Sequence, residues 1–223
     1  MERVDSWRSM RSSELMPGNP WPHDMQITVE DRPNALLELL WIREAYELEP
    51  VGVDLPPTLS DTPAVVHDAV LTDETRLAWE SAWSRVWAAV LAHAAKEHDP
   101  QLFAELHKTV PGSTERVEML HAVVGPTGRE EFGDEPFDTA SYREWSRRGV
   151  DAHRAKRPRQ LDDHPERRDL TALIPAWKKG LTRIVTIPCR GSYTRKIGVN
   201  ALLVTDETRD DSDAYRHALG AFV

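Results

Sequence analysis

The sequence predicts a predominantly α-helical α+β fold: a bundle-like helical body that ends in a β-hairpin and a terminal helix. Three observations predict it. Apolar residues recur at helical spacing in most segments between residues 33 and 179. From 181 to 205 the period changes to two and β-branched residues dominate. Asp, Ser or Thr precedes several periodic stretches and Pro or Gly follows them, as helix caps and stops do.

Residues 1–26 mix charges, Ser and Pro without periodicity and read as an irregular leader, with Met25 as an alternative start. "QITV" at 26–29 is a candidate third strand. "RPNALLELLWIREAY" follows as the first helix, with Asp31 as its expected N-cap and Pro33 where a missing N–H costs nothing. The four prolines of 47–72 break any long helix, leaving room for a short one over 63–70. A long helix is expected over 73–97, and shorter ones over 100–108 and from Ser113 to Val123. Asp138 should open a helix to Lys156, and His164-Pro165 another to Lys179 that Pro175 kinks or shortens. "LTRIVTIPC" and "RKIGVNALLVT" read as the two arms of the hairpin, joined by "RGSY", with Ile197, Val199, Ala201 and Leu203 on one face. "SDAYRHALGAF" closes the chain as a helix.

The net charge of -9 is unevenly spread. Residues 1–137 carry 11 Lys and Arg against 25 Asp and Glu, and residues 138–223 carry 17 against 12. The chain therefore divides into an acidic helical part (27–130) and a basic part (131–223), expected to share one compact domain. The asymmetry points either to attraction between the halves or to an anionic partner. The longest apolar run, "VWAAVLA", is far short of the ~20 residues a membrane span needs. A soluble cytoplasmic protein without membrane contact is the expectation. The single cysteine, Cys189, excludes an intramolecular disulfide.

Four groups of residues carry candidate chemistry. Trp79, Trp83 and Trp87 share one side of the long helix with Val86, Val90 and Leu91, which favours a core face over an interface or a stacking platform. The run "RRGVDAHRAKRPR" supplies Arg147, Arg148, Arg154, Lys156, Arg157 and Arg159 as a basic patch suited to phosphates, although cations also complement a helix C-terminus. Arg190, Tyr193, Arg195 and Lys196 crowd round the "RGSY" turn and form the best candidate anion site. Cys189 beside Arg190 could be activated, but a small buried thiol is the simpler reading. No cofactor motif, metal-ligand spacing or catalytic signature is present.

These residues point to a non-enzymatic binding protein whose basic surface meets an anionic partner, either nucleic acid or a phosphate-bearing ligand. Two alternatives stand beside it: an enzyme acting on a phosphate- or carboxylate-bearing small molecule, and an obligate homo-oligomer with a structural role.

Overall fold

The computed structural model describes residues 15–16, 19–66, 71–97 and 100–222. Two short antiparallel strands, β1 (Leu15–Met16) and β2 (Asn19–Pro22), lie within the expected leader, whose residues 1–14, 17 and 18 are outside the described residues. Next come β3 (Thr28–Asp31) and α1 (Asn34–Ala45). The helical body continues with α2 (Asp73–Ala94), α3 (Pro100–Leu106), α4 (Thr114–Val124), α5 (Arg129–Phe132), α6 (Ala140–Lys156), α7 (Pro165–Arg168) and α8 (Leu170–Lys178). The chain closes with β4 (Arg183–Ile187), β5 (Thr194–Ile197), β6 (Ala201–Thr205), α9 (Asp206–Asp210) and α10 (Ser212–Leu219). The architecture is mixed and largely helical, as the sequence predicts.

The sheet differs from the expected hairpin. Its order is β3-β4-β6-β5, with β3, β4 and β6 parallel and β5 antiparallel on the edge. The two arms read as 181–189 and 195–205 are therefore parallel neighbours, not a hairpin through "RGSY". The actual hairpin lies inside the second arm. Gly198, at φ 56, lets a three-residue loop turn β5 back on β6, and Ile197 faces Ala201. Val199 consequently leaves the predicted apolar face and is 83% exposed at the loop. The strand expected at 26–29 forms two residues later, at Thr28–Asp31, beside β4.

Every residue of β4 and β6 is buried, as expected of parallel strands covered on both faces. Val185, Ile187, Ala201 and Leu203 join the larger core with α1 and α2, Phe137 and Trp145. Ile184, Leu202 and Val204 pack on the other side with Leu173 and Trp177 of α8 and Tyr215 and Leu219 of α10.

Local chemistry sets the helix ends. The Thr72, Ser113 and Thr139 hydroxyls accept hydrogen bonds from the N–H groups of Thr75, Arg116 and Tyr142, capping α2, α4 and α6. Asp31 does not cap α1, because it completes β3 and Pro33 takes the cap position. The helix expected from Pro165 to Lys179 divides at Asp169, while Pro175 is accommodated within α8. Residues 63–66 are not helical, and 67–70 lie outside the described residues. The proline-rich segment before them packs as an arm: Arg43 donates to the carbonyls of Pro56 and Pro57, and Leu59 bridges Cys189. Trp83 and Trp87 are buried in the core and Trp79 is half-buried against Tyr46 and Phe132. Among the described residues no helix is long and apolar enough to cross a membrane.

Candidate functional site

Three parallel strands end side by side, and a polar cleft of about 330 Å³ opens at the carboxyl ends of the outer two, β3 and β6. In open sheets with parallel strands this is the end at which ligands bind, because the backbone leaves the sheet there and side chains converge. The floor carries Asp31, the last residue of β3, Arg32 directly after it, and Asp206 after β6. One wall is the end of α6, with His153, Lys156 and Arg157. The opposite wall is α7 and α9, with Glu166 and Arg209.

Arg32 is the unusual member. Its N–H donates to the Thr186 carbonyl at 3.1 Å, extending the β3–β4 ladder by one residue. Its backbone then turns into the left-handed region at φ 56, an uncommon and costly conformation for a residue other than glycine. The guanidinium lies against Gly149 of α6, the buried point where a Cβ would collide with it. Only 13% of this side chain is exposed. Its nearest carboxylate oxygen is on Asp206, 3.8 Å away, which is too long for a hydrogen bond. Burial lowers the Arg32 pKa, and the charges of Asp206 and Asp61 restore only part of the loss.

Behind Arg32 lies a well-paired network. Arg209 donates to both oxygens of Glu166, at 2.8 and 2.9 Å, and to Asp31 at 3.3 Å. The Tyr215 hydroxyl donates to Glu166 at 3.0 Å. Burial works against both partners. It pushes the Glu166 carboxyl up, but the hydrogen bonds and charge of Arg209 outweigh this and hold it below the usual carboxylate range. It also pulls Arg209 down, but Glu166 reverses the effect and holds the guanidinium above its ordinary value. His153 approaches Asp31 at 3.7 Å. Asp206 is held above its ordinary value by burial, against the charge of Arg32 and the hydroxyl of Thr186.

The residues singled out in the sequence divide by position. Lys156 and Arg157 stand at the rim of the cleft, exposed and without an ion-pair partner among the described residues. Arg147 pairs with Asp151 at 3.2 Å, and Arg148 pairs with Asp61 of the acidic half at 3.2 Å. Arg154 and Arg159 are exposed. Arg190, Tyr193, Arg195 and Lys196 do not form one site: of the four only Tyr193 and Arg195 meet, and the 188–193 segment is the connection from β4 to β5 rather than a hairpin tip. Arg190 donates to the Leu59 carbonyl and the Thr62 hydroxyl. The Tyr193 hydroxyl and Arg195 both donate to the Asp54 carbonyl, at 2.8 and 3.2 Å. Lys196 points elsewhere, 4.3 Å from the ring centre of Phe222. Three of the four thus clasp the proline-rich arm.

Cys189 is fully buried, and burial pushes its thiol up to about 12. At pH 8 a thiol reagent is expected to leave the native protein unmodified and to react fully once it is unfolded in guanidinium; prompt labelling of the native chain would contradict this. Among the described residues, no cluster of three or more His, Cys, Asp or Glu side chains could hold a metal ion.

Arg32, Asp31, Asp206, Glu166 and Arg209 were not singled out as site residues in the sequence. A signal was present: Asp31-Arg32 and Asp206 immediately follow stretches of period two. That signal acquires meaning only once the strands are known to be parallel. Compared with protein-family models, curated proteins and solved structures, the chain matches none.

Proposed function

We propose that this protein binds a small phosphate- or carboxylate-bearing molecule in the cleft at the carboxyl ends of β3 and β6. The Arg32 guanidinium carries the reading. It is nearly buried, offers five N–H donors, and has no hydrogen-bond acceptor among the described residues. A buried charge left without hydrogen bonds costs several kcal/mol, so such a group is explained best if a ligand oxyanion supplies the acceptors. The strained backbone of Arg32 and the missing Cβ at Gly149 are both needed to hold the guanidinium there, and local strain of this kind concentrates at functional sites. Lys156 and Arg157 add uncompensated positive charge at the entrance, which draws anions inward. The pairing of Arg147 and Arg148 with carboxylates favours a small ligand over a long polyanion, since a nucleic acid would draw on the whole basic run.

The test is calorimetric titration of inorganic phosphate, acetate and citrate at low ionic strength. The wild type is expected to bind at least one of them. Arg32→Gln should weaken that binding roughly ten- to hundred-fold, the usual worth of a charge-assisted hydrogen-bonded contact, with a melting temperature unchanged or higher. Gly149→Ala should weaken it too, by displacing the guanidinium, while Arg195→Ala leaves it intact. Failure of all three anions to bind, or equal binding by Arg32→Gln, overturns the reading.

A further inference from the structure

We propose that the anion held by Arg32 is a protonated phosphate, free or as a monoester, and that Asp206 selects it by accepting the hydrogen bond of its P–O–H group. This rests on the anion-binding reading above. Arg32 Nη1 and Asp206 Oδ2 lie 3.8 Å apart and face the same cleft. They attract each other without making a direct hydrogen bond, so both retain capacity for a third group. The Thr186 hydroxyl has one proton to give, and it lies within reach of both Asp31, at 3.4 Å, and Asp206. Asp31 is further served by Arg209 at 3.3 Å, which leaves Asp206 the less satisfied acceptor.

The floor of the cleft therefore presents a donor fork and an acceptor side by side. A ligand that suits both must offer oxyanion lone pairs and, next to them, a proton. Near neutral pH inorganic phosphate always keeps at least one proton to donate, because its last ionisation lies far above pH 7, whereas a monoester, whose second ionisation lies at about pH 6, offers one only as its monoanion. Sulfate has the same shape and no proton, so its oxygen would meet the Asp206 carboxylate with like charge and no hydrogen bond. The other charged and titratable groups lining the cleft with Asp206 are His153, Lys156 and Arg157 at the end of α6, Asp163 and His164 before α7, Glu166 and Arg168 from α7, Arg209 and Asp210 from α9, and Asp31 beside Arg32; Arg168 is paired with Asp169. Of the cations, Arg209 is committed to Glu166 and Asp31, whereas Lys156 and Arg157 have no ion-pair partner among the described residues. Two free cations at the rim favour a multiply charged phosphate over a zwitterion of low net charge. No Phe, Tyr or Trp side chain lines the described cleft, and its rings are the small imidazoles of His153 and His164, so a monoester with a polar or small remainder suits it better than one with a stacked base.

The experiment compares phosphate and sulfate by calorimetry at pH 7 and matched ionic strength, in the wild type and in Asp206→Asn. The wild type is expected to prefer phosphate by about ten-fold or more, as sites built to pair a ligand hydroxyl do. Asp206→Asn, which offers an amide donor in place of the carboxylate, should bring sulfate to within about two- to three-fold of phosphate. Phenyl phosphate in the same series separates the monoester from the free ion. Equal wild-type affinity for phosphate and sulfate, with binding still lost in Arg32→Gln, removes the selection by Asp206 and leaves the anion site standing. Binding of neither anion removes both. Should Asp206→Asn fail to fold, the pH dependence of the wild type decides. Sulfate binding should strengthen as the pH falls and Asp206 gains its proton, and a phosphate-to-sulfate ratio that does not change with pH overturns the proposal.

Discussion

Glu166→Ala is expected to destabilise the protein by about 3–5 kcal/mol, because it removes one member of a buried ion pair and leaves the other uncompensated. Glu166 is 7% exposed and accepts two hydrogen bonds from Arg209 and one from the fully buried Tyr215 hydroxyl. Its loss strands a guanidinium and a phenol at the junction of α7, α9 and α10. Arg209 keeps only the longer contact to Asp31, at 3.3 Å. Urea unfolding is the measurement, and the midpoint should fall without a change in slope. The double variant Glu166→Leu/Arg209→Met should recover much of the loss, since a well-packed apolar pair avoids desolvating two charges.

The effect should also depend on pH. The folded Glu166 carboxyl titrates below its ordinary 4.5, so its stabilisation is present above that pH and is lost as the pH falls through the folded value. The gap between wild type and Glu166→Ala should therefore narrow below about pH 4. Glu38 and Asp206 work in the opposite direction. Burial raises both, so their contribution is present at low pH and lost as the pH rises through their folded values. A gap that stays constant down to pH 3 would contradict the assignment of Glu166.

Trp83→Ala should cost about as much, roughly 3–5 kcal/mol, and lower the melting temperature by about 10 °C. The indole is fully buried between α1 and α2. Its Nε1–H donates to the Leu39 carbonyl at 2.8 Å, and its ring stacks on Trp87 with centroids 5.2 Å apart. By contrast, the buried Nε1 groups of Trp41 and Trp87 have no acceptor among the described residues. Trp83 thus combines full burial of a large apolar ring with a satisfied polar handle. Trp83→Phe isolates the hydrogen bond and should cost about 1–2 kcal/mol, chiefly from the Leu39 carbonyl left unpaired. Trp79→Ala, at a half-buried position, should cost less than Trp83→Ala. Thermal unfolding followed by circular dichroism ranks the three, and a loss at Trp79 equal to that at Trp83 would contradict the packing described.

The helices were legible because their information is local. The starts of α2 and α4 are marked in the sequence by Thr72 or Asp73 and by Ser113, and the Thr72 and Ser113 hydroxyls accept the capping N–H hydrogen bonds. The step of four between Trp83 and Trp87 keeps both on the face that meets α1 and the sheet. Asp31 illustrates the limit: its cap signal is sound, but pairing of Thr28–Asp31 with β4 outweighed it and moved the helix start past Pro33.

The candidate site was only partly legible. Lys156 and Arg157 stood out as part of a charge run, but nothing in that run separates them from Arg147 and Arg148, which the fold pairs with Asp151 and Asp61. Arg190, Tyr193 and Arg195 drew attention by crowding round a glycine, and the fold uses them to hold the proline-rich arm. Arg32 and Asp206, 174 positions apart in the chain, meet across the strand ends at 3.8 Å.

What the sequence determined by itself was the type of each element: helix caps, apolar stripes and the change of period are set within a few residues of where they are read. Strand order and direction were decided only in the tertiary structure. A run such as "LTRIVTIPC" has the same alternation whether its neighbour is parallel or antiparallel, and the choice depends on how both faces are covered by α1 and α2 and by α8 and α10. The parallel choice brings the ends of β3, β4 and β6 together. It thereby turns Arg32 from one charge among 28 into the nearly buried donor at the floor of a cleft.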